Sequence, residues 1–221
     1  DGRISVVTYK GAFNYSAVNN LGVKYASGEY ILLLNNDTEV ITVNWLEEML
    51  MYAQREDVGA VGAKLYYANK TIQHAGVVIG LGAHRTAGHT HYGQSRENLG
   101  YMGRLCYAQD VSAVTAACLL VKKALFDEVG GFDESFTVAF NDVDLCMKFR
   151  ELGYLNIFTP FAEMYHYESK TRGMEEGEKL RRFEREVAAF RAKWKKDLDA
   201  GDPYYNPNFT LDAADYSLKM D

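Results

Sequence analysis

The stretch that most constrains the fold is residues 29–43, GEYILLLNNDTEVIT. Residues 31–34 are apolar without alternation. Such a run fits a strand buried on both faces, as in a parallel sheet. It stops at Asn35-Asn36-Asp37-Thr38. Open α/β sheets bind ligands beyond the carboxyl ends of their strands, so Asp37 stands where a rigid element could meet a metal or a polar ligand. The same residue types also make an ordinary turn. This stretch alone leaves both readings open.

The neighbouring segments extend the pattern. Residues 4–9 are short, β-branched and aromatic, and predict a strand. Residues 15–26 predict a helix, with Tyr15, Val18, Leu21 and Tyr25 at spacings of three and four and Asn14 as N-cap. With the strand at 31 they make a βαβ unit, whose crossover suits a parallel sheet. A second helix is expected over 43–55 and a strand, interrupted by Gly59 and Gly62, over 58–65. Another short strand is expected over 77–79. Residues 82–110 show no period and read as a mobile flap, since long loops in compact domains are often functional. His84, His89 and His91 in this flap raise a zinc site, but three loosely spaced histidines are a weak pattern. Substrate contact or solvent exposure accounts for them as well.

Further on, residues 111–121 (VSAVTAACLLV) predict one buried strand and residues 122–129 a short helix. Residues 141–152 predict a helix with Asp142 and Asp144 in its first turn, where a carboxylate is stabilising without any chemistry. A strand over 155–158 precedes Pro160. Residues 162–171 carry Glu163, His166 and Glu168. Residues 175–198 predict a long charged helix with Leu180, Phe183, Val187, Phe190 and Trp194 along one side, lying on the sheet or on a partner subunit. The last twenty residues read as an extended tail, because prolines limit regular structure. No repeat and no second domain is evident.

The net charge of -6 among 221 residues argues against a nucleic-acid partner, which usually needs a basic footprint. It leaves a small phosphorylated substrate open. Cys106, Cys118 and Cys146 show no paired spacing and point to a reducing compartment. No run reaches transmembrane length. The chain starts at Asp1 and enters a predicted strand almost at once, as expected of a fragment whose N-terminal side is incomplete.

Five stretches together carry a family likeness: FNYSAVNNLG (13–22), ASGEYILLLNNDTEV (26–40), QHAGVV (73–78), VTAACLLVKKALFDEVGGFD (114–133) and AFNDVDLCMKFRELGYLNIFT (139–159), the last continuing into YHYES (165–169). In this order and spacing the chain resembles family 2 glycosyltransferases of the glycosyltransferase-A fold. It is most similar to the bacterial branch that includes rhamnosyltransferases and other polysaccharide-assembly enzymes. The resemblance implies an α/β, Rossmann-like single domain with a mostly parallel central sheet flanked by helices. Residues 1–173 would be the catalytic core, and 174–221 a helix and tail lying on the core or on a partner copy.

The resemblance also implies chemistry. A nucleoside-diphosphate-sugar is the donor, and a hydroxyl of a growing glycan or lipid-linked acceptor is the recipient. The expected location is cytoplasmic, at the inner face of the plasma membrane with peripheral association. Asn35-Asn36-Asp37 takes the place of the family's Asp-x-Asp motif, with asparagine at its first acidic position. Asp37 and His166 would hold Mn²⁺ or Mg²⁺ on the donor diphosphate, as hard ions prefer oxygen ligands. Asp142 matches the general base of a single inverting displacement, with Asn141 where members often have Glu. Asn14, Asn19, Asn35, Thr115 and Ala116 fall in stretches that line the donor site. His74 and His89 would touch the acceptor or the diphosphate, with His89 and Asn141 assigned to the acceptor side. Members also begin with a strand and an aspartate- and serine-rich turn that holds the base. Nothing here matches that turn, so the chain alone is expected to lack part of the nucleotide site. A nucleotidyltransferase and a non-catalytic carbohydrate-binding module are the competing classes.

Overall fold

The structure is a computed structural model that describes residues 2–167 and 177–220. Glu168, Ser169 and the first residues of the helix expected at 175 lie outside the described residues. Helix α1 (Tyr15–Tyr25) leads to β1 (Tyr30–Leu34) and β2 (Thr38–Val40), then α2 (Trp45–Ala53), β3 (Val58–Tyr66) and β4 (Ile72–His74). A hairpin of β5 (Val77–Ile79) and β6 (Ala87–His89) follows, then β7 (Gln109–Val111), β8 (Cys118–Lys122) and α3 (Lys123–Glu128). Helix α4 (Asn141–Glu151), β9 (Leu155–His166), α5 (Glu178–Lys193) and α6 (Lys195–Ala200) complete the order.

The main sheet runs β1-β8-β3-β9-β2, with β4 on β3 and β7 on β9. It is mixed and mostly antiparallel, which corrects the expected parallel sheet. Among the described residues, only β3 and β9 pair in parallel. The β1–β8, β3–β8, β2–β9, β3–β4 and β7–β9 pairs are antiparallel. Two physical reasons explain the error. Residues 4–9 form no strand, and Ile4 and Val6 are exposed, so the βαβ unit has no first strand. The apolar run in β1 also packs on both faces as far as Leu33, with Leu34 exposed at its end. Ile31 and Leu33 join the core beneath α1, α3 and α4, while Leu32 meets Met49 and Ala53 of α2 on the other side. Continuous apolarity reports two-sided burial and not strand direction.

Local differences have similar causes. Residues 112–117 are not strand. Ala113, Val114, Ala116 and Ala117 are buried in a turn that crosses the sheet, and small side chains permit that approach. A Cβ on Gly62 of β3 would come within 2.4 Å of Val114 Cβ, so glycine in β3 admits the crossing segment. β9 runs past Pro160, where its register on β3 jumps from Thr159 to Glu163. A proline without an N–H is tolerated at such an irregularity. In α1, Tyr25 is exposed and the buried residues are Ser16, Ala17 and Val23. The apolar stripe read from the sequence instead puts Tyr15 and Val18 on an open cleft.

The C-terminal part is ordered by contact with the rest. Phe190 and Trp194 of the last helices enter the main core. Tyr205, Phe209 and Tyr216 of the tail form a third cluster with Val78 and Leu81 of the hairpin region. The flap is therefore held along one side: Gly82 N–H donates to Leu211 O at 2.8 Å, and Asp202 accepts from Ile79 N–H at 2.8 Å. Among the described residues, no helix is long and apolar enough to cross a membrane.

Candidate active site

The sheet and α4 together open onto one cleft of about 870 Å³. The carboxyl end of β1 delivers Asn35 and Asp37 to it, and the end of β9 delivers His166. These ends meet because β2 pairs with β9 so that Thr38 lies opposite His166. Tyr167 N–H then donates to Asp37 O at 2.9 Å.

His166 is buried, and its ring is oriented on both sides. Its Nδ1 lies 2.8 Å from Gln73 Oε1, and its Nε2 lies 3.1 Å from Asn35 Nδ2 and 3.2 Å from Asp37 Oδ1. The Gln73 carbonyl can only accept, so Nδ1 carries a proton, and in the neutral ring the Nε2 lone pair accepts from Asn35 Nδ2 with Asp37 Oδ1 beside it. Two lone-pair donors at that distance suit a shared cation. A carboxylate and an imidazole whose far nitrogen is hydrogen-bonded form a familiar metal-ligand arrangement. Among the described residues, no group of three His, Cys, Asp or Glu forms a fuller shell. Small divalent ions bound with one or two protein ligands take the rest from phosphates and water. Asp37 and His166 fit that mode.

In the same cleft, Asp142 sits in the first turn of α4. Its Oδ1 accepts from Val143 N–H at 2.9 Å, and its Oδ2 accepts from Ala116 N–H at 3.1 Å. The carboxylate is therefore fixed in direction, with one lone pair per oxygen engaged. Ala116 is tied in turn to α1, because the Tyr15 hydroxyl donates to Ala116 O at 3.0 Å. Asn141 is buried, and its Oδ1 accepts from Asp142 N–H at 2.8 Å. Asp144 points away into the interior, accepting from Trp194 Nε1 at 2.8 Å.

His74 and His89 close a third side. His74 is fully buried, and desolvation, with His89 and His166 nearby, holds its pKa well below the usual imidazole value. Thr115 N–H donates to His74 Nε2 at 3.4 Å, and His74 Nδ1 lies 2.8 Å from His89 Nδ1. Neutral His74 then carries its proton on Nδ1 and donates it to His89. The other flap histidines go elsewhere. His84 lies edge-on to Phe183, and His91 is buried beside Tyr216, so the three share no site.

The structure thus brings Asn19, Asn35, Asp37, His89, Thr115, Ala116, Asn141, Asp142 and His166 to one cleft. Asn14 is not part of that lining. Its Oδ1 caps α1 through Ala17 N–H at 3.0 Å, and its Nδ2 donates to Glu134 O at 2.8 Å. Asn19 Nδ2 donates to Tyr15 O at 2.8 Å. Gln73, which orients His166, is a site residue that the sequence alone does not assign. Its local signal is its place beside His74 between the apolar Ile72 and Ala75, where burial of two polar residues demands partners.

Comparison with known proteins adds the family. The model described as Glycosyl transferase family 2 matches residues 1–130. An uncharacterized protein of Sinorhizobium fredii is 52% identical over 220 residues, 99% of this chain and 24% of its own length. The O-antigen biosynthesis protein RfbC of Myxococcus xanthus is 38% identical over 220 residues, 99% of this chain and 17% of its own length. The chain thus spans a quarter or less of these relatives. The crystal structure of GalNAc-T7 with UDP, GalNAc and Mn²⁺ superposes with a TM-score of 0.62 at 12% identity, covering 85% of this chain and 36% of that one. That likeness concerns the fold.

Proposed function

Because the chain belongs to glycosyl transferase family 2, we propose that it forms the sugar-transfer core of an enzyme building a bacterial surface polysaccharide. The donor is a uridine or thymidine diphosphate sugar, with rhamnose the sugar favoured by the sequence resemblance. The acceptor is a hydroxyl of a growing glycan or a lipid-linked glycan, met at the inner face of the membrane.

The observation that carries the reading is that Asp37 with His166, and Asp142, line one cleft. Asp37 and His166 would hold Mn²⁺ or Mg²⁺, which offsets charge gathering on the departing diphosphate. Asp142 accepts the proton of the acceptor hydroxyl through a lone pair not used by Val143 or Ala116. The freed oxygen forms its bond to the anomeric carbon as the bond from that carbon to the phosphate oxygen breaks. The electron pair leaves with the nucleoside diphosphate, and the anomeric configuration inverts. The turn at Ala116 lets backbone groups approach the donor closely. Tyr15 and Asn35 brace that turn and His166.

The test uses the full protein with Mn²⁺ and a panel of UDP-, dTDP- and GDP-sugars. Asp142→Asn should lower kcat by about 10²–10⁴ while donor binding stays near normal. Asp37→Ala should instead weaken metal-dependent donor binding by roughly tenfold or more. Normal transfer by the first variant removes Asp142 from the base role. Binding without turnover across the panel, and without metal dependence, favours a carbohydrate-binding module.

A further inference from the structure

Glu186 is a charge on the side of α5 that should carry none. It stands three residues after Phe183 and four before Phe190, hence on the inward face of the helix, and it is buried. Among the described residues, the hydrogen bonds found for it go to one tripeptide. Its Oε1 accepts from the N–H groups of Thr137 at 2.8 Å and Val138 at 3.2 Å and from the Thr137 hydroxyl at 2.5 Å. Its Oε2 accepts from Ala139 N–H at 2.9 Å. Successive backbone N–H groups that converge in this way normally make an anion site. Here the chain supplies its own anion.

That tripeptide leads straight to Asp142. Val138, Ala139 and Phe140 line the same cleft as Asp142. Phe140 adopts φ 62°, a left-handed backbone that costs energy for a bulky residue. Its ring is held against Phe183 and Phe190, at centroid distances of 5.8 and 5.1 Å. Asn141 Nδ2 donates to Val138 O at 3.2 Å, and Asn141 Oδ1 accepts from Asp142 N–H at 2.8 Å. The contacts therefore run without a break from the Glu186 carboxylate to the Asp142 backbone. On the far side of Asp142, buried Asp144 pairs with Lys193 at 2.7 Å and Trp194 at 2.8 Å. The C-terminal helix grips α4 both before and after Asp142.

We infer that Glu186 is a positioning residue for Asp142: it locks the 137–139 loop so that the carboxylate meets the acceptor hydroxyl at hydrogen-bond distance. This rests on Asp142 serving as the base. Glu186→Gln keeps the shape but turns one carboxylate oxygen into an N–H donor, which repels one set of loop amides. A small misplacement of a reacting group can cost on the order of 10²-fold.

The experiment measures transfer from the UDP-, dTDP- and GDP-sugar panel with Mn²⁺ by the full protein, alongside amide hydrogen exchange at residues 137–139. Glu186→Gln should lower kcat by roughly 10- to 100-fold, leave the donor KM within about twofold, and speed exchange at those three amides. A structural role alone would lower the amount of active enzyme without exposing that loop selectively. Normal kcat in Glu186→Gln, with Asp142→Asn inactive, overturns the positioning role alone. Normal transfer in Asp142→Asn overturns both assignments. Should Glu186→Gln not fold, Glu186→Asp keeps the charge but shortens its reach to the loop amides, and an unchanged kcat there overturns the proposal.

Discussion

The two sides of the cleft are held by different parts of the chain. The Asp37–His166 side is held by the sheet. Its residues sit at the ends of β1 and β9, and the ladder between β2 and β9 sets their separation. The Asp142 side, and separately the hairpin that carries His89, are held by residues after 177. Glu186 fixes the loop before α4, and the tail cluster of Tyr205, Phe209 and Tyr216 braces the hairpin that carries His89. A sheet position is enforced by many backbone bonds and withstands loss of one side chain. A loop held by a few buried polar and aromatic contacts does not. The donor side should therefore respond to substitutions through metal affinity, and the acceptor side through turnover.

Gln73 tests the donor half of this contrast. Gln73→Leu keeps the volume of a buried side chain and removes the acceptor for His166 Nδ1. The imidazole is then free to change tautomer or turn. Loss of such a partner typically costs 10–100-fold in metal affinity. The Mn²⁺ concentration for half-maximal transfer should rise by about that factor, while kcat at saturating Mn²⁺ stays within a few-fold. A fall in saturated kcat with unchanged Mn²⁺ response would break the division between the two sides.

The sequence displayed these two sides unequally. Asp37 and Asp142 were legible as positions, because each follows or begins a patterned element, while the roles proposed for them came from the family resemblance. Strand direction was not legible in residues 31–34, since burial from both faces gives the same apolar run in either direction. The course of residues 112–117 was hidden too, because small apolar residues suit a strand and a close crossing equally. Glu186 looked like one more charge on a charged helix. Only its phase relative to Phe183 and Phe190 betrayed its burial, and its partners lie 47–49 residues away. Polar groups that brace a site through long-range contacts leave little local trace. The family model also ends at residue 130, before Asp142, His166 and Glu186.

The smallest expected effect concerns the tail's hold on the hairpin, and pH isolates it. His91 follows His89 by two residues and is buried against Tyr216. Burial is the main cause that lowers its pKa to about 4, with the Arg104 and Lys64 cations adding to it and Asp215 opposing. The unfolded chain binds a proton near pH 6.5, whereas the folded chain resists it until about pH 4. The stabilising effect of neutral His91 is thus complete above pH 6.5 and is lost as pH falls through that window. Linkage puts the loss at roughly 2 kcal/mol by pH 5. His91→Asn suits the position, because asparagine tolerates the left-handed backbone found there at φ 55°. Urea unfolding at pH 7.5 and pH 5 should show the parent chain losing about 2 kcal/mol more than this variant between the two conditions. Proteolysis or amide exchange at pH 5 should locate the loosening at the hairpin and tail, with β1 and β9 unchanged. Equal pH sensitivity in parent and variant would mean that the hairpin side is held as firmly as the sheet, and the contrast between the two sides of the cleft would fail.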